Sequence, residues 1–256
     1  MIARLRVVTL NIHKGLSQFN RRVVIHDLRE GLRALDPDLV FLQEVQGLND
    51  RHALRFASWP GEPQHEFLAG ARWQSAYGRN RVYEHGHHGN ALLSRFPIVA
   101  VENQDVSAHR FERRGLLHAV VRVPGARRAA ALRVRAPVAA RARPPAAAGG
   151  DRRAARLGRA RRRADHRRRR FQRLAPARDA RARVPALGLT EVSFAARGRH
   201  ARTFPSLLPL LRLDRIYVRG FDVLGSRVLR GAPWSLLSDH LAVSAELRLA
   251  PGARGA

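Results

Sequence analysis

Val7-Val8-Thr9-Leu10-Asn11-Ile12-His13-Lys14-Gly15 and, further on, Leu39-Val40-Phe41-Leu42-Gln43-Glu44-Val45 are two short apolar runs that each end in polar residues. Runs this short and this rich in Val, Leu and Phe suit strands buried on both faces. Between them Ile25, Leu28, Leu32 and Leu35 recur at spacings of three, four and three, one apolar face of a helix. Asn20 stands ahead of that helix as a candidate cap. Asp36-Pro37 stops it, because the residue before a proline is driven out of the helical region. A strand–helix–strand unit implies parallel strands whose C-terminal ends lie together. Asn11 and Glu44 then share one edge of the sheet, the edge where α/β proteins gather ligands.

Outward from this unit, Gly89-Asn90-Ala91-Leu92-Leu93-Ser94-Arg95-Phe96-Pro97-Ile98 reads as a strand flanked by turns, and residues 116–123 as another. Leu213-Asp214-Arg215-Ile216-Tyr217-Val218 reads as a strand with an acid near its start. Ser238-Asp239-His240 leads into Leu241, Val243, Ala245, Leu247 and Leu249, the strict alternation of a half-buried strand. Glu44, Asp239 and Asn11 are hard oxygen donors of the kind Mg²⁺ or Mn²⁺ takes, one or two carboxylates with water and substrate phosphate completing the shell. His240, with Asp214 to fix its tautomer, suits a phosphate-contacting acid or an orienting group. Taken singly, a Glu after a strand is a solvent-facing residue and Asp-His is turn chemistry. Their order and context set them apart.

As an ordered set, Thr9 to Ile12, Leu42 to Val45, Gly89 to Ile98, Leu213 to Val218 and Ser238 to His240 resemble the endonuclease/exonuclease/phosphatase superfamily, the deoxyribonuclease I-like group. The resemblance covers residues 1–125 and 186–256. It implies an α/β fold, a four-layer α/β sandwich of two packed mixed β-sheets flanked by helices, in a single domain over 1–256. It also implies metal-dependent hydrolysis of phosphoesters, phosphodiesters first among them. Glu44 takes the place of the principal Mg²⁺ (or Mn²⁺) ligand, supported by Asn11 and Asp239. His240 takes that of the phosphate contact, oriented by Asp214, and Asn90 lies in the matching strand near the site. The partner is a phosphoester substrate: a nucleic acid, a phospholipid or an inositol phosphate. Two family motifs are missing between the Asn90 and Asp214 strands. One is His-x-x-Leu. The other is Gly-Asp-Phe-Asn, whose Asp positions the attacking water and whose Asn holds a phosphate oxygen.

The gap coincides with an anomaly of charge. The chain has 256 residues, a net charge of +28 and no Cys. Residues 126–185 hold 21 Arg and no Lys against 3 acids, or +18 in 60 positions, and the other 196 residues carry +10. Arg, Ala, Pro and Gly fill 48 of those 60 positions, without helix or strand periodicity. The segment reads as a basic, disordered nucleic-acid-binding insert, as an Arg/Ala helix broken by Pro137, Pro144, Pro145 and Pro176, as a long linker, or as a GC-rich gene translated out of frame. The frame can be tested within the sequence. Reading each codon from its second base lets Ala136–Ala140 yield His-Leu-Ser-Leu. The same shift lets Ala164–Ala175 yield Pro-Thr-Ile-Ala-Gly-Asp-Asp-Phe-Asn-Asp-Trp. Both missing motifs emerge in one shifted frame and in family order, with one extra Asp. This favours two compensating frameshifts, near 125–129 and 181–186, and a printed chain with 126–185 disordered or misfolded and activity impaired. The rivals are a binding protein acting through its Arg segment and an inactive pseudoenzyme.

Absence of Cys excludes a disulfide framework and thiolate zinc. No apolar run reaches the ~18–20 residues of a membrane helix, and the N-terminus lacks a signal-peptide core, so a cytoplasmic monomer is expected. His85, His87 and His88 read as a Gly-flanked loop without metal-ligand spacing. Trp59, Trp73 and Trp234 read as packing residues, and Arg110, Arg113 and Arg114 as a loop able to steer phosphate.

Overall fold

β1 (Arg4–Asn11) and β2 (Leu39–Asn49) run parallel, from Val7 opposite Leu39 to Asn11 opposite Gln43, and α1 (Ile25–Leu35) joins them. This is a computed structural model, and it describes residues 4–105, 115–124 and 188–250. Of these, 188–190 belong to a unit of residues 140–190, and the rest to a unit formed by 1–139 with 191–256. The 126–185 segment and Arg110, Arg113 and Arg114 lie outside the described residues.

The sheet continues with β3 (Gln74–Tyr83) and β4 (Gly86–Ser94), then β9 (Phe221–Val228) and β10 (Val243–Leu249). Its order is β3-β4-β2-β1-β10-β9. Only β1 and β2 are parallel neighbours; β4, β3, β10 and β9 join antiparallel. β5 (Ile98–Asp105) and β6 (Gly115–Val121) form a separate antiparallel pair. Two short strands, β7 (Thr190–Glu191) and β8 (Tyr217–Val218), complete the set. The helices α2 (Asp50–Arg55), α3 (Gln64–Ala69) and α4 (Val192–Arg197) are one to two turns each.

Both faces of the large sheet are covered, which is why β1 and β2 read as unbroken apolar runs. Val8, Leu10, Val40 and Leu42 pack with Ile25, Leu28 and Leu32 of α1 and Phe67 and Leu68 of α3. The alternate residues Leu5, Val7, Leu39 and Phe41 pack with Leu117, Ala119 and Val121 of β6 and with Val192, Ile216 and Val218. α1 and α3 thus cover one face, and β6 with α4 and the chain around β8 the other, the mixed α/β sandwich expected. Ile25, Leu28 and Leu32 are fully buried, and each such side chain stabilises by roughly 1.5–3 kcal/mol. The helix ends where Asp36 turns left-handed (φ 55°), its N–H bonded to the Leu32 carbonyl, ahead of Pro37.

Several local expectations need correction. Asn20 does not cap α1: the N-cap is Val24, with no side-chain bond. The chain first closes a loop pinned by the Leu16–Val23 bridge, and Asn20 ends a 3-10 turn inside it. Around Asp214 the strand is confined to Tyr217–Val218, so Asp214 sits in the irregular chain before it. β10 is more than half-buried, because it lies between β1 and β9 and Ser244 is buried beside Val243 and Ala245. His87 and His88 lie in strand β4 instead of a loop. Trp73 is buried, its indole N–H bonded to the Pro37 carbonyl.

Candidate active site

Glu44 owes its position to a bulge. The β2–β4 register runs from Leu42 opposite Ala91 to Val45 opposite Gly89, so Gln43 and Glu44 together face the single residue Asn90. Glu44 adopts the left-handed conformation, φ 53°. A bulge with one residue in that region re-aims a side chain out of the strand's alternation, and for a non-glycine residue it costs on the order of 1 kcal/mol or more. Gly89 serves the other side of β4, where it lets β3 approach: a Cβ there would lie 1.9 Å from the Gly78 carbonyl oxygen. Gly89 is thus a packing requirement of the β3–β4 pair, and Asn90, buried, stands opposite the bulge.

The Asn11 amide Nδ2–H donates to Glu44 Oε1 at 3.1 Å, while its Oδ1 accepts the His13 backbone N–H at 3.0 Å. Asn11 therefore holds the Glu44 carboxylate and keeps one oxygen lone pair over. Lys14 Nζ lies 3.8 Å from the other Glu44 oxygen. Burial pushes the Glu44 carboxyl up, but the Asn11 hydrogen bond and the charges of Lys14, His13 and His88 outweigh it and hold it below its ordinary value. Glu44 is a carboxylate at neutral pH.

Ser238 couples the two ends of the chain. Its hydroxyl donates to the Asn11 carbonyl at 2.6 Å and accepts the His240 N–H at 3.1 Å. Asp239 between them is partly exposed and lies 3.4 Å from His13 Nδ1. His240 is buried, and its Nδ1 meets Asp214 Oδ2 at 2.8 Å; Asp214 is itself 1% exposed. Thr203 fastens the chain on both sides of the pair, its hydroxyl accepting the Asp214 N–H and its carbonyl the N–H of Leu241, the residue after His240. Burial pushes the His240 imidazole down, yet the Asp214 hydrogen bond and charge, with Asp239 and Glu44, raise it above its ordinary value. The arrangement favours an imidazolium whose Nδ1–H is fixed on Asp214 and whose Nε2–H is the ring's other donor.

All six residues singled out in the sequence come to this one edge. His13, Lys14 and Ser238 were missed. Their signal was present: His13 and Lys14 continue directly from Asn11, and Ser238 opens the Ser-Asp-His run. His88 is also near, and burial with the Lys14 charge lowers its imidazole to about 4, against the opposing pull of Glu44. A histidine whose folded pKa is lowered withholds stability in acid. Its contribution is complete above about 6.5 and is lost as pH falls toward 4. Replacing His88 by Asn should therefore flatten the acid limb, sparing about 1 kcal/mol of the loss between pH 7 and 4.5 after discounting for the solvent that reaches the ring. Urea midpoints at the two pH values measure it, and equal losses in both proteins reject it.

Past the end of the parallel β1–β2 pairing, a mixed α/β sandwich thus gathers two carboxylates, an amide and a buried Asp–His pair, a set able to meet a cation and an anionic group. The sequence profile described as the Endonuclease/Exonuclease/phosphatase family matches residues 8–181. The chain is 39% identical over 263 residues to the Escherichia coli K12 protein YbhP, described as uncharacterized, covering 95% of this chain and 96% of that one. Among solved structures, an endonuclease/exonuclease/phosphatase from Beutenbergia cavernae superposes with a TM-score of 0.65 at 20% identity, over 96% of this chain and 72% of that one. D. rerio TDP2, complexed with a single-strand DNA product, gives 0.52 at 14% identity, over 96% and 99%. The chain belongs to the endonuclease/exonuclease/phosphatase family. That is a family of hydrolases, with nucleases and phosphatases among its members.

Proposed function

We propose that this chain is a single-domain, cytoplasmic hydrolase of phosphodiester bonds that works with Mg²⁺ or Mn²⁺. The observation that carries the reading is the buried His240–Asp214 pair, 2.8 Å apart, joined through Ser238 to the Asn11–Glu44 pair. Donor chemistry fits the metal: Glu44, Asp239 and the spare lone pair of Asn11 are hard oxygens. Among the described residues no three His, Cys, Asp or Glu side chains form a metal cluster. Mg²⁺ is content with one or two protein carboxylates plus water and phosphate. Bound there, the ion would supply Lewis-acid charge to a phosphoryl oxygen and to water. His240 would donate Nε2–H to a non-bridging phosphate oxygen, with Asp214 holding the ring and its charge. Asn90 stands behind the Glu44 bulge as a positioning residue. In the hydrolysis, water adds to phosphorus and gives up a proton, the bond from phosphorus to one ester oxygen breaks, and that oxygen takes up a proton.

The printed sequence lacks the Gly-Asp-Phe-Asn motif that the resemblance assigns to water positioning, so we propose further that its activity is impaired by the frame of 126–185. Metal binding should survive this lesion, since its donors lie elsewhere. Glu44→Gln is expected to weaken Mn²⁺ binding to the printed chain at least about tenfold, read by the loss of free Mn²⁺ signal on titration. The carboxylate is the principal charge opposing the ion. Equal affinity in the two proteins removes Glu44 from the metal site.

A further inference from the structure

Ser206-Leu207-Leu208-Pro209-Leu210-Leu211 is an apolar hairpin tip standing beside the candidate site. Its neck is closed by the Phe204–Leu211 bridge, with Leu210 N–H and Leu211 N–H donating to the Phe204 carbonyl at 2.9 and 2.8 Å. Its base is fastened to the site itself. Ser206 N–H donates to the Asp239 carbonyl at 2.8 Å, Ser206 Oγ donates to the Ser235 carbonyl at 3.0 Å, and the Phe204 ring lies 4.8 Å from the His240 ring. Yet the tip is not packed: Leu207 and Leu208 are each 65% exposed, Leu210 57%, Leu211 44%, and Leu236 next to Ser235 53%.

Isolated exposed leucines need no explanation, but four on one short tip do. The charge of the flanking sequence is one-sided, with Arg202 and Arg212 next to the two strands of the neck. Arg197, Arg199, Arg202, Arg212 and Arg219 are all exposed, and Asp214, the one acid between Glu191 and Asp222, is buried. A second loop leaving the site repeats the pattern. Beyond His13 and Lys14, the loop closed by Leu16 and Val23 exposes Phe19 (73%), with the Arg21 guanidinium 5.7 Å over its ring and Arg22 exposed beside it.

We propose that the Leu207–Leu211 tip seats the protein on an anionic phospholipid bilayer and presents the site to a phosphodiester in the lipid headgroup layer. Leucines that enter the acyl boundary and arginines that meet anionic headgroups are the two signals an interfacial anchor combines. A second copy of the chain would bring together the like-charged Arg202 and Arg212 that flank the neck. A nucleic-acid backbone offers phosphate but no apolar phase in which to bury four leucines. The lipid surface stands on the tip's own exposure and charge; only the identity of the substrate rests on the phosphodiesterase reading. Vesicle binding by a frame-restored protein that hydrolyses no phosphodiester would therefore remove the enzyme reading alone.

The test uses the full chain with vesicles of phosphatidylcholine containing 30% phosphatidylglycerol, in 0.5 M NaCl so that screening suppresses binding by the Arg-rich segment. The fourfold variant Leu207→Ser, Leu208→Ser, Leu210→Ser, Leu211→Ser is expected to lose at least tenfold in partitioning to the sedimented vesicles. Because the chain has no Cys, Leu208→Cys provides a unique thiol for an environment-sensitive dye. Its emission should shift to the blue on adding vesicles and stay unchanged with single-stranded DNA, while a dye on the exposed Glu62→Cys should respond to neither. Equal partitioning of parent and fourfold variant overturns the proposal. So does a dye at 208 that ignores vesicles, or one that responds to protein concentration alone, which would make the tip a self-association surface.

Discussion

Restoring the reading frame across residues 126–185 is expected to raise Mg²⁺-dependent hydrolysis of bis-p-nitrophenyl phosphate by at least about a thousandfold over the printed chain. The described residues carry the oxygen donors proposed for the metal and the Asp214–His240 pair. The water-positioning Asp and the phosphate-holding Asn implied by the family resemblance are absent from the printed sequence. Groups that act together on one transition state are grossly non-additive, so a site with half of them retains little of the whole. The codon logic constrains the result further. In the shifted frame Phe171 can become only Phe or Ser, and Gln172 before Arg173 most naturally becomes Asn or Ser, which is where Phe-Asn of the motif is required. Matched assays of the two proteins measure the effect, and resequencing the gene tests the premise. Equal activities, hydrolysis without metal, or one continuous frame that encodes the printed protein each count against it.

His240→Ala in the frame-restored protein is expected to lower kcat/KM by about 10²–10⁴-fold, the range for removing a positioned proton donor. Asp214→Asn separates charge from geometry. The buried Asp214 carboxylate is what lifts the His240 imidazole against burial. Without it, burial prevails and the imidazole falls. The activity that needs imidazolium should then disappear at lower pH: the basic limb of the kcat/KM profile moves to the acid side. A merely structural role for Asp214 would lower activity at every pH and leave that limb in place. Melting curves of Asp214→Asn distinguish loss of fold from loss of charge.

Much of this was legible in the chain. The apolar runs at Val7–Ile12 and Leu39–Val45, with the Ile25–Leu35 stripe between them, require a parallel pair, and a parallel pair brings Asn11 and Glu44 together whatever else the fold does. The Asp36-Pro37 stop was equally local. By contrast, the bulge that turns Glu44 out of β2 depends on β4 approaching with Gly89 and Asn90 in one register, and no local pattern in β2 announces it. Asn20 has a capping side chain, but the Leu16–Val23 bridge places it in a loop of its own. His87 and His88 resemble loop residues because strand pairing with β2 and β3, which sets their place, is non-local.

By itself the sequence determined the parallel strand–helix–strand unit and the edge that Asn11 and Glu44 share, because periodicity and chain direction are local properties; the sandwich and the roles of the six candidate residues were implied by the family resemblance of the ordered motifs. It also exposed the anomaly of 126–185, since composition survives without structure. Only the tertiary structure decided what those residues do to one another. Asn11 grips Glu44, Ser238 ties Asn11 to His240 across 227 residues of chain, and Asp214 is buried against the imidazole. Each is a hydrogen bond between residues far apart in the chain, whose existence depends on a few tenths of an ångström in how two elements pack. The Leu207–Leu211 tip belongs to the same category. Its exposure follows from a neck closed by the Phe204–Leu211 bridge, a pairing that composition alone does not announce.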